Sequence, residues 1–255
     1  MLLECDVSAA AGYKSRPQIS RALSEKWLSE NGYCLSCESD RLLPTPANTK
    51  ASDFSCRDCG ETNELKAFGS KPARRLVDGA YNALISRIRS ESVPTLMLLE
   101  HNQKWQIQAL TAVHHLFLTP NVIEKRKPLS PTARRAGRVG CTIRLDLIGE
   151  DAQISVISGG VPSIPNLVRK TFRQFECLKS IPIERRGWTT LTLGIVRGLR
   201  QPQFSLGDVY SMEKAFVAAY PKNNNIRAKM GQQLQVLCDL GYLEFLGTGT
   251  YRLLV

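Results

Sequence analysis

Apolar and polar positions along the first two thirds of the chain follow two different periods. Between residues 19 and 31, apolar side chains recur every three to four positions, which predicts a helix that Gly32 would end. The same spacing predicts a second helix over residues 73–89. Short apolar runs predict strands at residues 63–68 and 95–99, and one or two more within residues 107–118. Strands and helices in succession favour an α/β core.

The last part of the chain has the pattern of three helices followed by a β-hairpin. Helical spacing covers residues 189–199, 205–220 and 226–240. The segments 242–246 and 250–254 then flank Gly247-Thr248-Gly249, which is typical of a hairpin turn. Three helices and a hairpin are the layout of a winged helix, a variant of the helix-turn-helix. With a boundary near residue 180, we predict two domains, residues 1–180 and residues 181–255.

The charge of the chain indicates a polyanionic partner. The sequence carries 34 Lys and Arg against 23 Asp and Glu, a net charge of +11, and such cations neutralise nucleic-acid phosphates. Within residues 124–138, six basic residues stand against one acidic residue, which fits either a solvated loop or a loop that contacts phosphates. No apolar run is long enough to span a bilayer, and the N-terminus lacks the pattern of a signal peptide. We therefore expect a cytoplasmic protein that does not associate with membranes.

Four of the eight cysteines form two CxxC pairs. Cys34 with Cys37 and Cys56 with Cys59 are separated by 18 residues, and four thiolates in this arrangement suit a tetrahedral Zn²⁺ site. The alternative, a redox-active CxxC, usually involves a single pair. Because four cysteine ligands leave no open position, we predict a structural zinc that supplies folding energy to the segment between the pairs. The other four thiols, Cys5, Cys141, Cys177 and Cys238, are predicted to be buried and unreactive.

An acidic residue and an acid-x-Lys triplet lie between and just after the cysteine pairs. Asp53 is followed, after ten residues, by Glu64-Leu65-Lys66. Carboxylates are hard oxygen ligands that suit Mg²⁺, and a divalent cation stabilises the charge that grows on a phosphate during hydrolysis. In a strand, Glu64 and Lys66 would share one face, so that Lys66 could orient or deprotonate the attacking water. The alternative is a solvated strand edge, since this spacing by itself is common.

Asp53 and the triplet resemble the PD-(D/E)xK nuclease motif, and further motifs extend the resemblance along nearly the whole chain. The chain is similar to DpnI-type restriction endonucleases, which belong with the Dam-replacing proteins of bacteria. Besides the two CxxC pairs and the terminal hairpin, the motifs that carry this similarity are residues 78–81 (DGAY), 126–137 (RKPLSPTARRAG), 186–189 (RGWT) and 232–235 (QQLQ).

The resemblance implies a PD-(D/E)xK restriction-endonuclease-like core of α/β class, with an embedded zinc finger and a C-terminal winged helix. It implies a type II, methyl-directed endonuclease that cleaves double-stranded DNA at GATC sites bearing N6-methyladenine, with catalytic Mg²⁺ and structural Zn²⁺. Asp53, Glu64 and Lys66 would take the catalytic roles, and the backbone carbonyl of Leu65 would complete the Mg²⁺ site. Glu25 stands where related nucleases often place a supporting acid.

Two segments are predicted to contact DNA. A winged helix lays its third helix in the major groove, where amide side chains suit adenine edges and Arg suits guanine. The alternative for this helix is a polar face whose cations touch only phosphates. In the basic segment a relative has Trp at position 138, which could pack on methyl groups, whereas Arg138 cannot make that contact. The predicted DNA-contacting residues are Arg134, Arg135, Arg138, Asn224, Asn225, Arg227, Lys229, Gln232 and Gln233.

Two other functions remain open from the sequence. A DNA-binding regulator without enzymatic activity could pair a zinc ribbon with a winged helix, in which case Asp53, Glu64 and Lys66 would be incidental. An RNA-processing nuclease is the third reading, although winged helices usually bind duplex DNA. The sequence implies no protein partner.

Overall fold

The computed structural model describes residues 1–46 and 52–254. Within them the strands are β1 (Leu43–Pro44), β2 (Phe54–Ser55), β3 (Thr62–Phe68), β4 (Arg75–Ala80), β5 (Thr95–His101), β6 (Ile107–Val113), β7 (Ile123–Pro128), β8 (Val139–Arg144), β9 (Gln153–Ser158), β10 (Val161–Pro162), β11 (Gln203–Ser205), β12 (Leu243–Gly247) and β13 (Thr250–Leu253). The helices are α1 (Arg16–Asn31), α2 (Tyr81–Arg89), α3 (Pro165–Arg173), α4 (Ile183–Gly198), α5 (Leu206–Ser211), α6 (Glu213–Ala219) and α7 (Ile226–Asp239).

The chain folds into two compact units, each of which is made of three separate segments of the sequence. Unit 1 comprises Met1–Ala73, Val93–His115 and Gln153–Glu176. Unit 2 comprises Arg74–Ser92, Leu116–Ala152 and Cys177–Val255.

Unit 1 is built on a mixed sheet. In the described part of the chain its strand order is β1-β2-β3-β5-β6-β9-β10, with β3 and β5 parallel and the other neighbours antiparallel. The apolar run at Thr95 to Leu99 in the central strand β5 is buried throughout, as expected for a strand covered on both faces. Helix α1 contacts β3, and α3 contacts β9. The predicted α/β fold is thus confirmed.

Helix α1 begins and ends where its sequence requires. Pro17 lies in the first turn, where a missing N–H removes no hydrogen bond within the helix. Trp27 and Leu28 are buried, and the indole of Trp27 donates a hydrogen bond of 2.8 Å to the carbonyl of Leu2. A Cβ at Gly32 would lie 2.5 Å from the carbonyl oxygen of Leu28. The position after the helix therefore needs glycine, and the predicted stop at Gly32 is confirmed.

The prediction of one helix over residues 73–89 is wrong in its first half. Strand β4 occupies Arg75–Ala80, and only Tyr81–Arg89 is helical. Leu76 is buried between exposed neighbours, which is the period of a strand, and β4 pairs antiparallel with the distant β8. The segment 107–118 contributes a single strand, β6.

The basic segment around residues 124–138 is also more regular than a loop. Residues Ile123–Pro128 form β7, which pairs antiparallel with β8 and completes a three-stranded sheet of order β4-β8-β7 in unit 2. Only the connection after Pro128 is a turn, and Gly137 lies in it with φ +74°, where a side chain would be strained.

The C-terminal part of unit 2 has the predicted winged-helix layout. Helix α7 packs against α4, α5 and α6, and β12 and β13 form the terminal hairpin, to which β11 adds a third strand. The predicted helix over residues 205–220 is two helices, because α5 ends at Ser211 and α6 starts after Met212. Ser205 and Asp208 form a reciprocal capping box that fixes the start of α5.

The cysteines outside the CxxC pairs differ in exposure. Cys5 and Cys141 are buried as predicted, and burial raises the pKa of the Cys5 thiol to about 11. Cys238 is only half-buried, and Cys177 is exposed, so the prediction of a buried thiol is wrong for Cys177. Cys177 lies in a single 3₁₀ turn, Glu176–Ser180, in which only Leu178 is buried. Every helix within residues 1–46 and 52–254 is too short or too polar to span a bilayer.

Candidate functional site

Strand β3 places Glu64 and Lys66 side by side. Because successive residues of a strand alternate between faces, these two side chains project on the same side, and Lys66 Nζ lies 2.8 Å from Glu64 Oε1. Each side chain is about one fifth exposed, 21% for Glu64 and 18% for Lys66. The predicted carboxylate–ammonium pair is therefore present, at a half-buried position that solvent and a ligand can reach.

Asp53 is held against the same strand. Its backbone N–H donates to the carbonyl of Asn63 over 2.9 Å, and its own carbonyl accepts from the N–H of Thr45 at 2.9 Å. Its side-chain Oδ2 accepts a hydrogen bond of 2.8 Å from the backbone N–H of Leu65. The structure thus brings together all the residues that the sequence singled out for phosphodiester chemistry.

Helix α1 carries Arg21, whose charge interacts with that of Asp53. Arg21 Nε lies 2.6 Å from Glu25 Oε1, one helical turn away. The hydrogen bond and charge of Glu25, and then the charge of Asp53, raise the pKa of the Arg21 guanidinium. Glu25 was expected near the centre, whereas Arg21 was missed, since an exposed i, i+4 pair on a helix is usually only a surface ion pair.

The donor atoms of this cluster fit a hard divalent cation. Asp53 and Glu64 offer carboxylate oxygens, and Leu65, the residue after Glu64, offers a backbone carbonyl. Mg²⁺ is usually held by one or two carboxylates and several waters. The half-buried strand face therefore has the chemistry that Mg²⁺ requires.

The four cysteines of the CxxC pairs converge as predicted. Their sulfur atoms all lie within 4.8 Å of one another, with Cys34 Sγ 3.5 Å from Cys59 Sγ and Cys37 Sγ 3.6 Å from Cys56 Sγ. In a tetrahedral site with Zn–S bonds of about 2.3 Å, the sulfurs would be about 3.8 Å apart. This four-cysteine cluster therefore fits a structural zinc site.

Burial raises the pKa of these thiols, whereas hydrogen bonds from the backbone lower it. Desolvation works against the Cys56 thiolate, but hydrogen bonds from the amides of Cys59 and Asp58, together with those of Cys37 and Ser39, lower the pKa of Cys56 to about 7. Burial raises the pKa of the Cys34 thiol, which is the most enclosed of the ligands. A divalent cation would favour the thiolate form of all four residues.

The three-stranded sheet of unit 2 carries a cavity of about 440 Å³. Pairing between β4 and β8 shifts between Asp78 and Ala80, and pairing between β7 and β8 shifts between Lys125 and Pro128. Such bulges redirect side chains, and the bulged residues are among those that line the cavity. The lining residues are Val77, Asp78, Gly79, Arg126, Lys127, Leu129, Arg138 and Gly140.

This basic cavity, as we call it, includes one of the three arginines of residues 134–138 that are predicted to contact DNA. Arg138 lines it and is half-buried, whereas Arg134 and Arg135 are exposed in the preceding turn. The sequence did not predict that Asp78 and Arg138 line the same cavity. Asp78 belongs to β4, about 60 residues before Arg138, and the two segments meet only because β4 pairs with β8.

Most of the predicted DNA-contacting residues in α7 and just before it are exposed. Asn224, Asn225, Arg227 and Gln232 are exposed, and Lys229 is half-buried with Nζ 3.1 Å from the side-chain oxygen of Gln232. Arg227 is paired with Glu213 at 3.0 Å and lies over the ring of Tyr210.

Gln233 departs from the prediction. It is buried, and its side-chain oxygen accepts a hydrogen bond of 2.7 Å from the hydroxyl of Thr189 in α4. Residue 233 therefore lies on the side of α7 that packs against α4. The sequence pattern does not distinguish an exposed glutamine from a buried one whose hydrogen-bond partner is distant in sequence.

The RGWT motif at residues 186–189 has a structural role within unit 2. Arg186 is buried and donates hydrogen bonds to the carbonyls of Leu178 and Ile181. Trp188 stacks on Tyr220 with ring centroids 3.8 Å apart. A Cβ at Gly187 would collide with Asn121 and Tyr220, which explains the glycine. The motif fixes α4 to the segments around it.

Fold and site together define a nuclease-type α/β protein that carries a four-cysteine cluster and a DNA-binding helix-turn-helix. Comparison with protein families agrees with this description. The model of the Dam-replacing family matches residues 1–181, and the model of the Dam-replacing HTH domain matches residues 184–253. The chain belongs to the Dam-replacing family. Membership indicates a restriction-type, site-specific nuclease that binds DNA.

Proposed function

We propose that the protein is a type II, methyl-directed restriction endonuclease. In this proposal it hydrolyses phosphodiester bonds of double-stranded DNA at GATC sites that carry N6-methyladenine, and it uses Mg²⁺. The observation that carries the nuclease activity is the meeting of Asp53 with Glu64-Leu65-Lys66, fixed by the hydrogen bond from Leu65 to Asp53. A regulator that only binds DNA would have no use for this arrangement.

Each residue of the centre has a chemical role in the proposal. Asp53, Glu64 and the carbonyl of Leu65 would hold the cation, which when bound supplies charge stabilisation at the scissile phosphate and acidifies a water. Lys66, held 2.8 Å from Glu64, orients the attacking water or accepts its proton. The Leu65 N–H keeps the Asp53 carboxylate turned toward β3.

The basic cavity is our candidate for DNA recognition by the catalytic part of the chain. Its three cations can contact phosphates or the acceptor atoms of guanine, and the Asp78 carboxylate can accept from an exocyclic amine. Val77 and Leu129 give it an apolar side that could contact a methyl group. This combination supports recognition of a methylated base even though residue 138 is arginine.

The winged helix is proposed as the second DNA-recognising part. We keep the functional division at residues 1–180 and 181–255, which assigns α7 and the terminal hairpin to that second domain. Its exposed face carries Asn224, Asn225, Arg227, Lys229 and Gln232. Amide side chains suit adenine edges and Arg suits guanine, as a GATC site requires.

A cleavage assay distinguishes this function from the alternatives. Supercoiled plasmid with methylated GATC adenines, and a folded RNA of similar length, are incubated with the full chain in Mg²⁺ or in EDTA. Asp53→Asn keeps the size of the side chain and removes its charge, so it is the matched control for contaminating nuclease. We expect Mg²⁺-dependent cleavage of the plasmid that is at least about 100-fold slower with Asp53→Asn. Binding of the plasmid without cleavage would favour the regulator, and cleavage of RNA alone would favour the RNA nuclease.

A further inference from the structure

Arg169 is a buried arginine outside the nuclease centre. It lies in α3 of unit 1, and its side chain is only 6% exposed. Burying a guanidinium costs free energy unless its N–H groups find hydrogen-bond acceptors. The acceptors of a buried arginine therefore indicate which part of the structure it stabilises.

Most of the acceptors of Arg169 belong to the segment that carries the first CxxC pair. Nε donates to the carbonyl of Cys34 at 3.1 Å, and Nη2 donates to the carbonyl of Ser39 at 3.1 Å. The side chains of Glu38 and Asp40 accept at 3.2 and 3.3 Å, and Asn166 of α3 accepts at 3.4 Å. The guanidinium also lies over the ring of Tyr33, 5.1 Å from its centroid. One side chain therefore holds the backbone on both sides of Cys37.

Arg173, one turn further along α3, extends the same contact. Its Nε donates to the carbonyl of Ser36 at 2.8 Å, and its Nη2 lies 2.6 Å from Glu38 Oε1. The carbonyls of Cys34, Ser36 and Ser39 thus all accept from α3. We call Arg169 and Arg173 together the arginine brace.

The brace turns the carbonyls of this segment toward α3, and the Ser39 N–H donates to Cys37 Sγ, with its nitrogen 3.5 Å from the sulfur. The Cys34 N–H donates to the Ser39 carbonyl and closes the turn around Cys37. A zinc site with four thiolate ligands carries a net charge of about −2, which nearby guanidinium groups would offset. Both effects favour the conformation in which Cys34 and Cys37 bind metal.

We propose that Arg169 is a positioning residue of the metal site in the four-cysteine cluster, which makes metal affinity depend on α3. The proposal concerns how this chain holds the metal and does not require the nuclease reaction. Partners beyond the metal ligands commonly contribute 10- to 100-fold to metal affinity.

The test is the metal affinity of the full-length protein with Arg169→Lys. Lysine keeps the charge but cannot reproduce the planar array of five donors. Zn²⁺ affinity is measured by competition with a chromophoric chelator, and Co²⁺ binding by its thiolate absorption bands. We expect Zn²⁺ affinity to fall about 10- to 100-fold, with altered Co²⁺ bands. Lys170→Ala, an exposed position of the same helix, is the control and should match wild type. An affinity of Arg169→Lys within threefold of wild type would overturn the proposal.

A second variant keeps the test decisive if Arg169→Lys fails to fold. Arg173 is 42% exposed, so Arg173→Ala is compatible with folding. It removes the donor to Ser36 and should weaken Zn²⁺ binding about 3- to 10-fold. If Arg173→Ala binds Zn²⁺ as tightly as wild type while Arg169→Lys cannot be obtained folded, the brace has no role in metal binding and the proposal is wrong.

Discussion

Glu64 and Lys66 place opposite charges next to each other on one face of β3, where both are half-buried. A structural ion pair alone would not need Asp53, which is fixed to the same strand by the N–H of Leu65. The three side chains act as one group, so the loss of any of them should affect the same chemical step.

Lys66→Ala should abolish most cleavage while the protein still folds and binds DNA. The substitution removes the side chain that would orient the attacking water as an ammonium or accept its proton as the neutral amine, and such a proton-transfer group is worth about 10²- to 10⁴-fold in rate. Single-turnover cleavage under Mg²⁺ measures this, and an electrophoretic shift of the same DNA measures binding. Lys104→Ala, at an exposed lysine of unit 1, is the control. A Lys66→Ala rate within tenfold of wild type would contradict the assigned role.

Gly187→Ala should destabilise unit 2 although it adds only a methyl group. The new Cβ would lie 2.7 Å from the hydroxyl of Tyr220, and Tyr220 cannot move freely because it stacks on Trp188. Overpacking of this kind costs about 1–3 kcal/mol. Urea unfolding measures the loss, with Gly198→Ala as control, because a Cβ there meets no atom within 4 Å. Equal stability of the two variants would show that the site adapts freely.

At the scale of elements, local patterns predicted α1, β3, β5, α7 and the hairpin, because their periods stand out in sequence. They failed for β4, which pairs with the distant β8, and for β7, whose charged residues lack the alternation of a strand although it pairs with the next strand, β8. The same limit applies to the site. The CxxC pairs and the Asp53–Lys66 motif are local, whereas the basic cavity joins β4 to the distant β7 and β8, and the arginine brace joins residues up to 137 positions apart.

Lys229→Ala in α7 should weaken DNA binding almost equally for all sequences. A lysine in a DNA interface neutralises a phosphate, so the loss of Lys229 should reduce the salt dependence of binding by about one unit. Binding is measured on duplexes at several salt concentrations. Gln232→Ala provides the contrast, since an amide that contacts a base edge should cost about 1–3 kcal/mol on the cognate site only. If Lys229→Ala left the salt dependence of binding unchanged, Lys229 would not contact the DNA.

At the scale of the whole molecule, the four-cysteine cluster closes a segment that also carries Asp53, three residues before Cys56. The backbone of Asp53 is bonded to Thr45 and Asn63, so the order of this segment and the geometry of the nuclease centre are connected. Loss of zinc should therefore affect catalysis without touching the catalytic side chains.

Cys34→Ser should lose zinc and lower the thermal stability of the protein. Cys34 is the most buried of the four ligands, and structural zinc contributes folding free energy directly. Atomic emission measures the metal content, and calorimetry measures the melting temperature. Cys177→Ser, at an exposed thiol outside the cluster, should leave both unchanged. Native, stable Cys34→Ser protein without zinc would contradict a structural metal.

The measurement that tests the account most directly compares one GATC duplex in three states: unmethylated, methylated on one strand, and methylated on both. The rate of strand cleavage by the full chain is followed with Mg²⁺ at fixed salt. The account predicts fastest cleavage of the fully methylated duplex, with the unmethylated one at least about 100-fold slower, a difference of about 2.7 kcal/mol. Equal cleavage rates on all three duplexes would show a nuclease that does not depend on methylation, which contradicts the methyl-directed function. Absence of cleavage of any duplex would contradict the nuclease activity itself.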